Sequence, residues 1–539
     1  MRLSFLATAA TLLTTPAIAQ QPTPPKLVVA ISVDQLSADL FDTYRPHFTG
    51  GFARLVREGT LFPNGYQSHA ATETCPGHST LLTGRRPAAT GIVANTWIDQ
   101  GAARADKTIY CAEDERAPGS SSDKYQVSAE HLRVSTLGDR LKLVSPGSRN
   151  FAVAGKDRAA VMMSGRAADG RWYWDGKSWT SDLLGKPVPR SIQALNTVFA
   201  QGLTAAQPAL SAPPLCSAKS KSYPVSPTIS VGSGGLARAA GDARFVRAHP
   251  QFDAAVLAAS AALVGEFRLG RGAATDVLSV GLSATDYVGH SYGSNGQEMC
   301  LQLLALDRDL GDFLNRLDAT RVDYVVVLSA DHGGMDIPER LREQGVPTAA
   351  RADPALAAAE MGKLLAPQFG RTESVLKGSG IGGDIWLDRG IPARDRSRVL
   401  AATVARYKAH PQVHDVLTAS QVARTPLPSG RPDRWSIIQR VRAAFDPARS
   451  GDLYLVLKQF VSPIAKPSTG YVATHGSPWD YDRRVPVLFW RKGASPATRT
   501  DAVDTADILP TLGAMIGMNI APATIDGRCL AGAAGARCQ

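Results

Sequence analysis

The sequence predicts an α/β fold, a doubly wound and mostly parallel central sheet flanked by helices, and three observations carry that reading. Residues 27–33, LVVAISV, form a β-branched apolar run of buried-strand type that stops at Asp34. Two runs of the same kind lie far downstream: VLSVGLSATD, ending at Asp286, and YVVVLSADH, ending at Asp331 and His332. Between them Met299, Leu303, Leu306, Leu310, Phe313 and Leu317 recur at alternating spacings of four and three, the apolar stripe of one helix with charge opposite. Strand, helix, strand is a parallel crossover unit. Ligands of such sheets collect beyond the carboxyl ends of the strands, and each run places its acid there.

The remaining elements follow in chain order. The chain opens MRLSFLATAATLLTTPAIAQ, one Arg, a short apolar run, then the small-x-small triplet Ala17-Ile18-Ala19. This predicts a signal peptide over residues 1–19, cleavage after Ala19, and a periplasmic or secreted protein. The run is too short to span a bilayer and no later stretch is long enough, so no membrane span is expected. TETCPGHSTLL places Thr74 at a helix start, where unpaired N–H groups and the positive dipole end favour anions. A threonine there is most often only a cap. NFAVAG (150–155) is a strand leading to Lys156 and Arg158, VPVLFW (485–490) another, and TADILPTLGAMIG (505–517) a closing helix. Two stretches break the alternation. Residues 165–250 begin with RWYWDGKSW, a hairpin pattern, and become Pro/Ser/Gly-rich; residues 345–465 mix Ala-rich helices with GSGIGGDIWLDRG and GDLYLVLKQF. Both are expected as insertions capping the site of one domain over 20–539.

Composition narrows the ligand. A net charge of +11 favours anions, but the basic residues are interspersed with acids, as in RPDRWSIIQRVRAAFDPAR, so a specific nucleic-acid partner is not expected. Phosphate and sulfate esters remain. The six cysteines suit an oxidising compartment. Cys529 and Cys538 form the obvious candidate pair, and Cys300 reads as a buried helix thiol. No feature fixes an oligomeric state, and a monomer is favoured.

Asp34, Asp286-x-x-x-His290, Asp331-His332 and the His475 of ATHGSP are each weak signals, since a lone Asp is usually a turn residue and a lone His a structural one. Together they are three carboxylates and three imidazoles, a mixed oxygen and nitrogen donor set suited to zinc. Two divalent cations carry four charges against three carboxylates, which leaves one equivalent for an alkoxide; Thr74 can supply it as a nucleophile.

Asp34, TETCPGHSTLLTG, Asn95, GKDR, DYVGH, SADHGG and THGSPWDYD stand in the order seen in the alkaline phosphatase superfamily. The set most resembles the PafA-like, phosphate-irrepressible alkaline phosphatases with a threonine nucleophile. That resemblance implies an alkaline-phosphatase-like fold and two Zn2+ ions, one held by Asp286, His290 and His475, the other by Asp34, Asp331 and His332 with Thr74. It further implies that Asn95, Lys156 and Arg158 contact the phosphoryl oxygens, and that small-molecule phosphate monoesters are hydrolysed through a phosphothreonine at Thr74. Two alternatives stand beside it. One is a nucleotide pyrophosphatase/phosphodiesterase of the same superfamily, which lacks the Lys156 and Arg158 pair. The other is a noncatalytic zinc-stabilised phosphate-binding protein, which needs neither Thr74 nor Asn95. A sulfatase is disfavoured because Cys75 is followed directly by Pro76, with no Arg at the matching position.

Overall fold

The computed structural model describes residues 23–538, so the expected signal peptide lies outside the described residues. A ten-stranded sheet organises the chain. Its centre runs Tyr324–Ser329, Leu27–Val33, Asp276–Leu282, Asn150–Ala154, Gly170–Trp174, every neighbouring pair parallel. Arg484–Arg491 adds antiparallel to Tyr324–Ser329 and carries Thr60–Tyr66 antiparallel on its other edge. The VPVLFW run is therefore a strand as expected, and it runs against the parallel centre.

Both faces of the sheet are covered, which is why its strands read as continuous apolar runs. Leu27, Val29, Ile31 and Val33 enter one apolar layer, Val28 and Ala30 the opposite one. The first layer is closed by the helices Pro250–Glu266 and Gln297–Ala319, and all six residues of the anticipated stripe are buried in it. Burial of each such side chain stabilises the fold by about 2 kcal/mol. The helix Ile508–Ile516 closes the second layer through Leu509 and Leu512.

The two expected insertions are built differently. The RWYWDGKSW hairpin is the edge of the main sheet, because Gly170–Trp174 pairs parallel with Asn150–Ala154 and Trp179–Thr180 turns back on it. Of the rest of the 165–250 stretch, Ile192, Leu236 and Ala248 pack on the first layer, tied to the Gln297–Ala319 helix by a Cys216–Cys300 disulfide, whereas Tyr223, Val225 and Val231 pack with Ile337, Val472 and Ala473. None of the stretch's residues lines the cavity described below. The 345–465 stretch carries a sheet of its own. Leu376–Lys377, Gly383–Leu387, Leu453–Leu457 and Val413–Thr418 make a four-stranded sheet with its own apolar cluster, and that sheet faces the site. All six cysteines are paired, as Cys75–Cys111, Cys216–Cys300 and Cys529–Cys538. The candidate tail pair is present, whereas Cys300 is a disulfide partner and not a buried thiol.

Candidate active site

Strand ends deliver the acids. Asp34 follows Leu27–Val33 directly, and the turn is held by Gln35, whose φ of 65° lies in the left-handed region and whose backbone N–H donates to Asp331 Oδ1 at 3.2 Å. A non-glycine residue there is strained, a cost that clusters at functional sites. Asp331 and His332 follow Tyr324–Ser329. Asp286 sits further on than its run suggested, in the first turn of the helix Ala284–Tyr292, which puts His290 one turn later on the same face. His475 enters from a loop. The donor atoms of Asp286, His290 and His475 lie within 4.8 Å of one another, as do those of Asp34, Asp331 and His332. The rings of His332 and His475 stack at 3.6 Å, so the two groups share a wall.

These residues fit a metal cofactor. Each imidazole has Nδ1 beside a backbone carbonyl at 2.8 Å: His290 at Ala473, His475 at Thr72, His332 at Gly333. A carbonyl only accepts, so Nδ1 carries the proton and Nε2 keeps a free lone pair toward the carboxylates, the tautomer a ligand needs. Asp34 Oδ1, Asp286 Oδ1, Asp331 Oδ2 and His332 Nε2 are buried and make no hydrogen bond. Such orphans are costly unless a cation satisfies them. Burial, then the negative charge of Asp331, pushes the Asp34 carboxyl well above its ordinary range, the mark of acids crowded for a shared positive partner.

Thr74 stands over this cluster as the first residue of the helix Thr74–Leu81, with Glu73 at the cap position. It is therefore not the cap that a threonine before a helix usually is. Lys156 Nζ lies 3.4 Å and Arg158 Nη2 3.5 Å from Thr74 Oγ1. The same ammonium reaches Asp286 Oδ2 at 2.5 Å and Asp34 Oδ2 at 2.6 Å, touching both ligand groups. Asn95 Oδ1 accepts from the Cys75 backbone N–H at 2.8 Å, which leaves the Nδ2 amino group to donate toward the cavity that Asn95 lines. All ten residues singled out in the sequence converge on one place.

Residues not anticipated hold them there. Tyr110 and Tyr125 each donate to Asp157 at 2.8 Å, Asp157 accepts from the Arg158 backbone N–H at 2.7 Å, and Tyr110 Oη lies 3.5 Å from Arg158 Nη1. The Cys75–Cys111 disulfide joins the residue after Thr74 to the residue after Tyr110. His78 Nδ1 donates to the Thr74 carbonyl at 2.9 Å and stands 3.1 Å from Asp331 Oδ2. A Cβ at Gly77 would collide with the Asp331 carbonyl, which explains the glycine of CPGH: the Thr74–Leu81 helix abuts the turn that bears Asp331. Only His78 had a signal, its i,i+4 spacing from Thr74. Around these groups opens a cavity of about 710 Å³, with Glu73, Asn95, Arg158, His290 and His475 on one side and the cap residues Ser379–Asp384, Trp386 and Tyr454 on the other.

Comparison with known proteins agrees with this geometry. Residues 28–478 match the family described as type I phosphodiesterase / nucleotide pyrophosphatase. Alkaline phosphatase PhoK of Sphingomonas sp is 51% identical over 94% of this chain and 91% of its own. The crystal structure of wild-type alkaline phosphatase PafA superposes with a TM-score of 0.82 at 26% identity, covering 94% of this chain and 99% of that one. A PafA mutant substituted at one threonine, one asparagine, one lysine and one arginine superposes at 0.81 with 25% identity, over 94% and 99%. The chain belongs to the type I phosphodiesterase / nucleotide pyrophosphatase family of phosphate-ester hydrolases, among the PafA-like members of the alkaline phosphatase superfamily.

Proposed function

We propose that the protein is an exported, zinc-dependent alkaline phosphatase that hydrolyses phosphate monoesters through a phosphothreonine at Thr74. One observation carries the reading: a hydroxyl at a helix N-terminus has an ammonium at 3.4 Å, a guanidinium at 3.5 Å and two carboxylate–imidazole groups beside it. The names of PhoK and PafA support it. So does the PafA mutant, which alters the four residue types assigned here, its lysine and arginine separated by one residue as Lys156 and Arg158 are. Pairing of all six cysteines supports export.

Asp286, His290 and His475 would hold one zinc and Asp34, Asp331 and His332 the other, and the metals would supply Lewis-acid polarisation of phosphoryl oxygen and acidification of the attacking hydroxyl. Within that frame the chain does the positioning. Lys156 and Arg158 bracket Thr74 Oγ1, so a phosphoryl group brought to Oγ1 presents its non-bridging oxygens to both cations. Asn95 donates from Nδ2 to the same oxygens. Thr74 Oγ1 loses its proton to water and attacks phosphorus. The bond to the leaving oxygen breaks, and the alcohol departs with a solvent proton. Water then attacks the phosphothreonine in line, releasing phosphate and restoring the hydroxyl.

The cation pair also favours monoesters over the diesters suggested by the family description. A monoester is a dianion, whereas the second substituent of a diester occupies space the cations would otherwise contact. One extra unit charge at about 4 Å is worth at most roughly 4 kcal/mol at an effective dielectric near 20. Lys156→Ala with Arg158→Ala is expected to lower kcat/KM for an aryl phosphate by about a hundredfold or more and to affect its methyl diester far less. Equal losses on both esters would move the diesterase reading to first place.

A further inference from the structure

The cavity is larger than a phosphoryl group needs, and its outer part has a charge pattern of its own. Three acids line it, and each is already engaged. Glu73 Oε2 accepts from the Asn95 backbone N–H at 2.6 Å, Asp384 Oδ1 from Gly451 at 2.8 Å, and Asp482 Oδ2 from the Ser477 backbone and hydroxyl at 2.8 and 2.6 Å. Burial above all pushes Asp384 up to about 7 and Asp482 to about 6, which weakens their negative charge further.

The cations behave differently. Arg158 faces Thr74, but Lys458 and Lys466 line the cavity with exposed side chains and, among the described residues, have no carboxylate partner. Their placement follows from the cap sheet. Lys458 directly follows the cap strand Leu453–Leu457, whose neighbour Gly383–Leu387 also lines the cavity. Lys466 reaches the same cavity from the loop after Val461–Ser462. Most surface lysines are only solvated, but these two front a concavity whose other end receives a phosphoryl group, on a chain of net charge +11.

We propose that Lys458 and Lys466 form an outer anion subsite that favours phosphate monoesters whose alcohol carries a second anionic group. The inference rests on the phosphatase reading and names the substrate class of that same cavity. Two exposed ammonium groups support a modest effect on recognition of the leaving group, with none on the chemistry at Thr74.

The test compares three esters of similar shape: phenyl phosphate, 4-carboxyphenyl phosphate, and 4-phosphonophenyl phosphate, whose phosphonate is not a hydrolysable ester. Each variant is compared with wild type on the same ester, so differences in leaving-group reactivity cancel. Lys458→Ala with Lys466→Ala should lower kcat/KM about fivefold on the carboxylated ester and at least as much on the phosphonate, and leave phenyl phosphate within about twofold. Loss on only one of the two charged esters identifies which anion the subsite takes. Lys458→Arg with Lys466→Arg should keep the preference, because charge and not shape is read. Equal effects on all three esters overturn the subsite while leaving the phosphatase reading intact. Failure of the wild type to turn over any of the three overturns both.

Discussion

The two flanks of Thr74 are built by different means. On one, six donors are fixed by the main chain: the acids leave strand ends or a first helical turn, and each imidazole is locked by a backbone carbonyl at 2.8 Å. On the other, Asn95 is held by the Cys75 backbone N–H and Lys156 and Arg158 follow the strand Asn150–Ala154, but Arg158 is braced by side chains of a distant segment, Tyr110, Tyr125 and Asp157 beside it, with the Cys75–Cys111 disulfide tying the segments together. The first flank is as rigid as the sheet. The second is only as rigid as its props, and the two should fail differently.

The metal flank should fail completely. Chelation of the loaded protein is expected to abolish aryl phosphate turnover and lower Tm by several degrees, because three buried carboxylates then face one another without cations between them. Elemental analysis should find two zinc ions per chain, and full activity after complete metal removal would refute this half of the comparison. The cationic flank should fail by degrees. Cys75→Ser with Cys111→Ser should keep both metals yet lower kcat on monoesters about tenfold, since the tie between the Thr74 turn and the Tyr110 strand is lost. An unchanged kcat in that variant would show the props to be dispensable. The smallest effect belongs to the tail. Cys529→Ser with Cys538→Ser should cost local stability, roughly 2–3 kcal/mol for so short a loop, and leave kcat untouched; a matching loss of kcat would erase the distinction between the two disulfides.

The same difference explains what the sequence disclosed. Buried strands advertise themselves as apolar runs, and Asp286-x-x-x-His290 and Asp331-His332 carry their spacing in the chain, so the sheet centre and the donor set were legible. Thr60–Tyr66 was not recognised, because TLFPNGY carries a proline and a glycine that disguise a strand paired with Arg484–Arg491. The RWYWDGKSW hairpin was recognised but assigned to an insertion, since only its pairing with Asn150–Ala154 shows that it extends the main sheet. Lys156 and Arg158 alone read as a solvated pair. The meaning of Lys156 lies in Thr74, Asp34 and Asp286 and that of Arg158 in Thr74, Tyr110 and Asp157, contacts that exist only after folding, and the Cys216–Cys300 pairing was beyond reach for the same reason.

On the proposed reading both flanks serve one oxygen, Thr74 Oγ1. That reading is tested most directly by acid-quenching the zinc-loaded enzyme during turnover of an aryl phosphate and mapping phosphorylated peptides by mass spectrometry, beside Thr74→Ala and Thr74→Ser. Phosphate is expected on Thr74 in the wild type and on the serine of the conservative variant, which keeps substantial activity. None is expected in Thr74→Ala, which retains its metals but loses nearly all turnover. Phosphate on another residue, or a Thr74→Ala enzyme that turns over as fast as wild type, would contradict it.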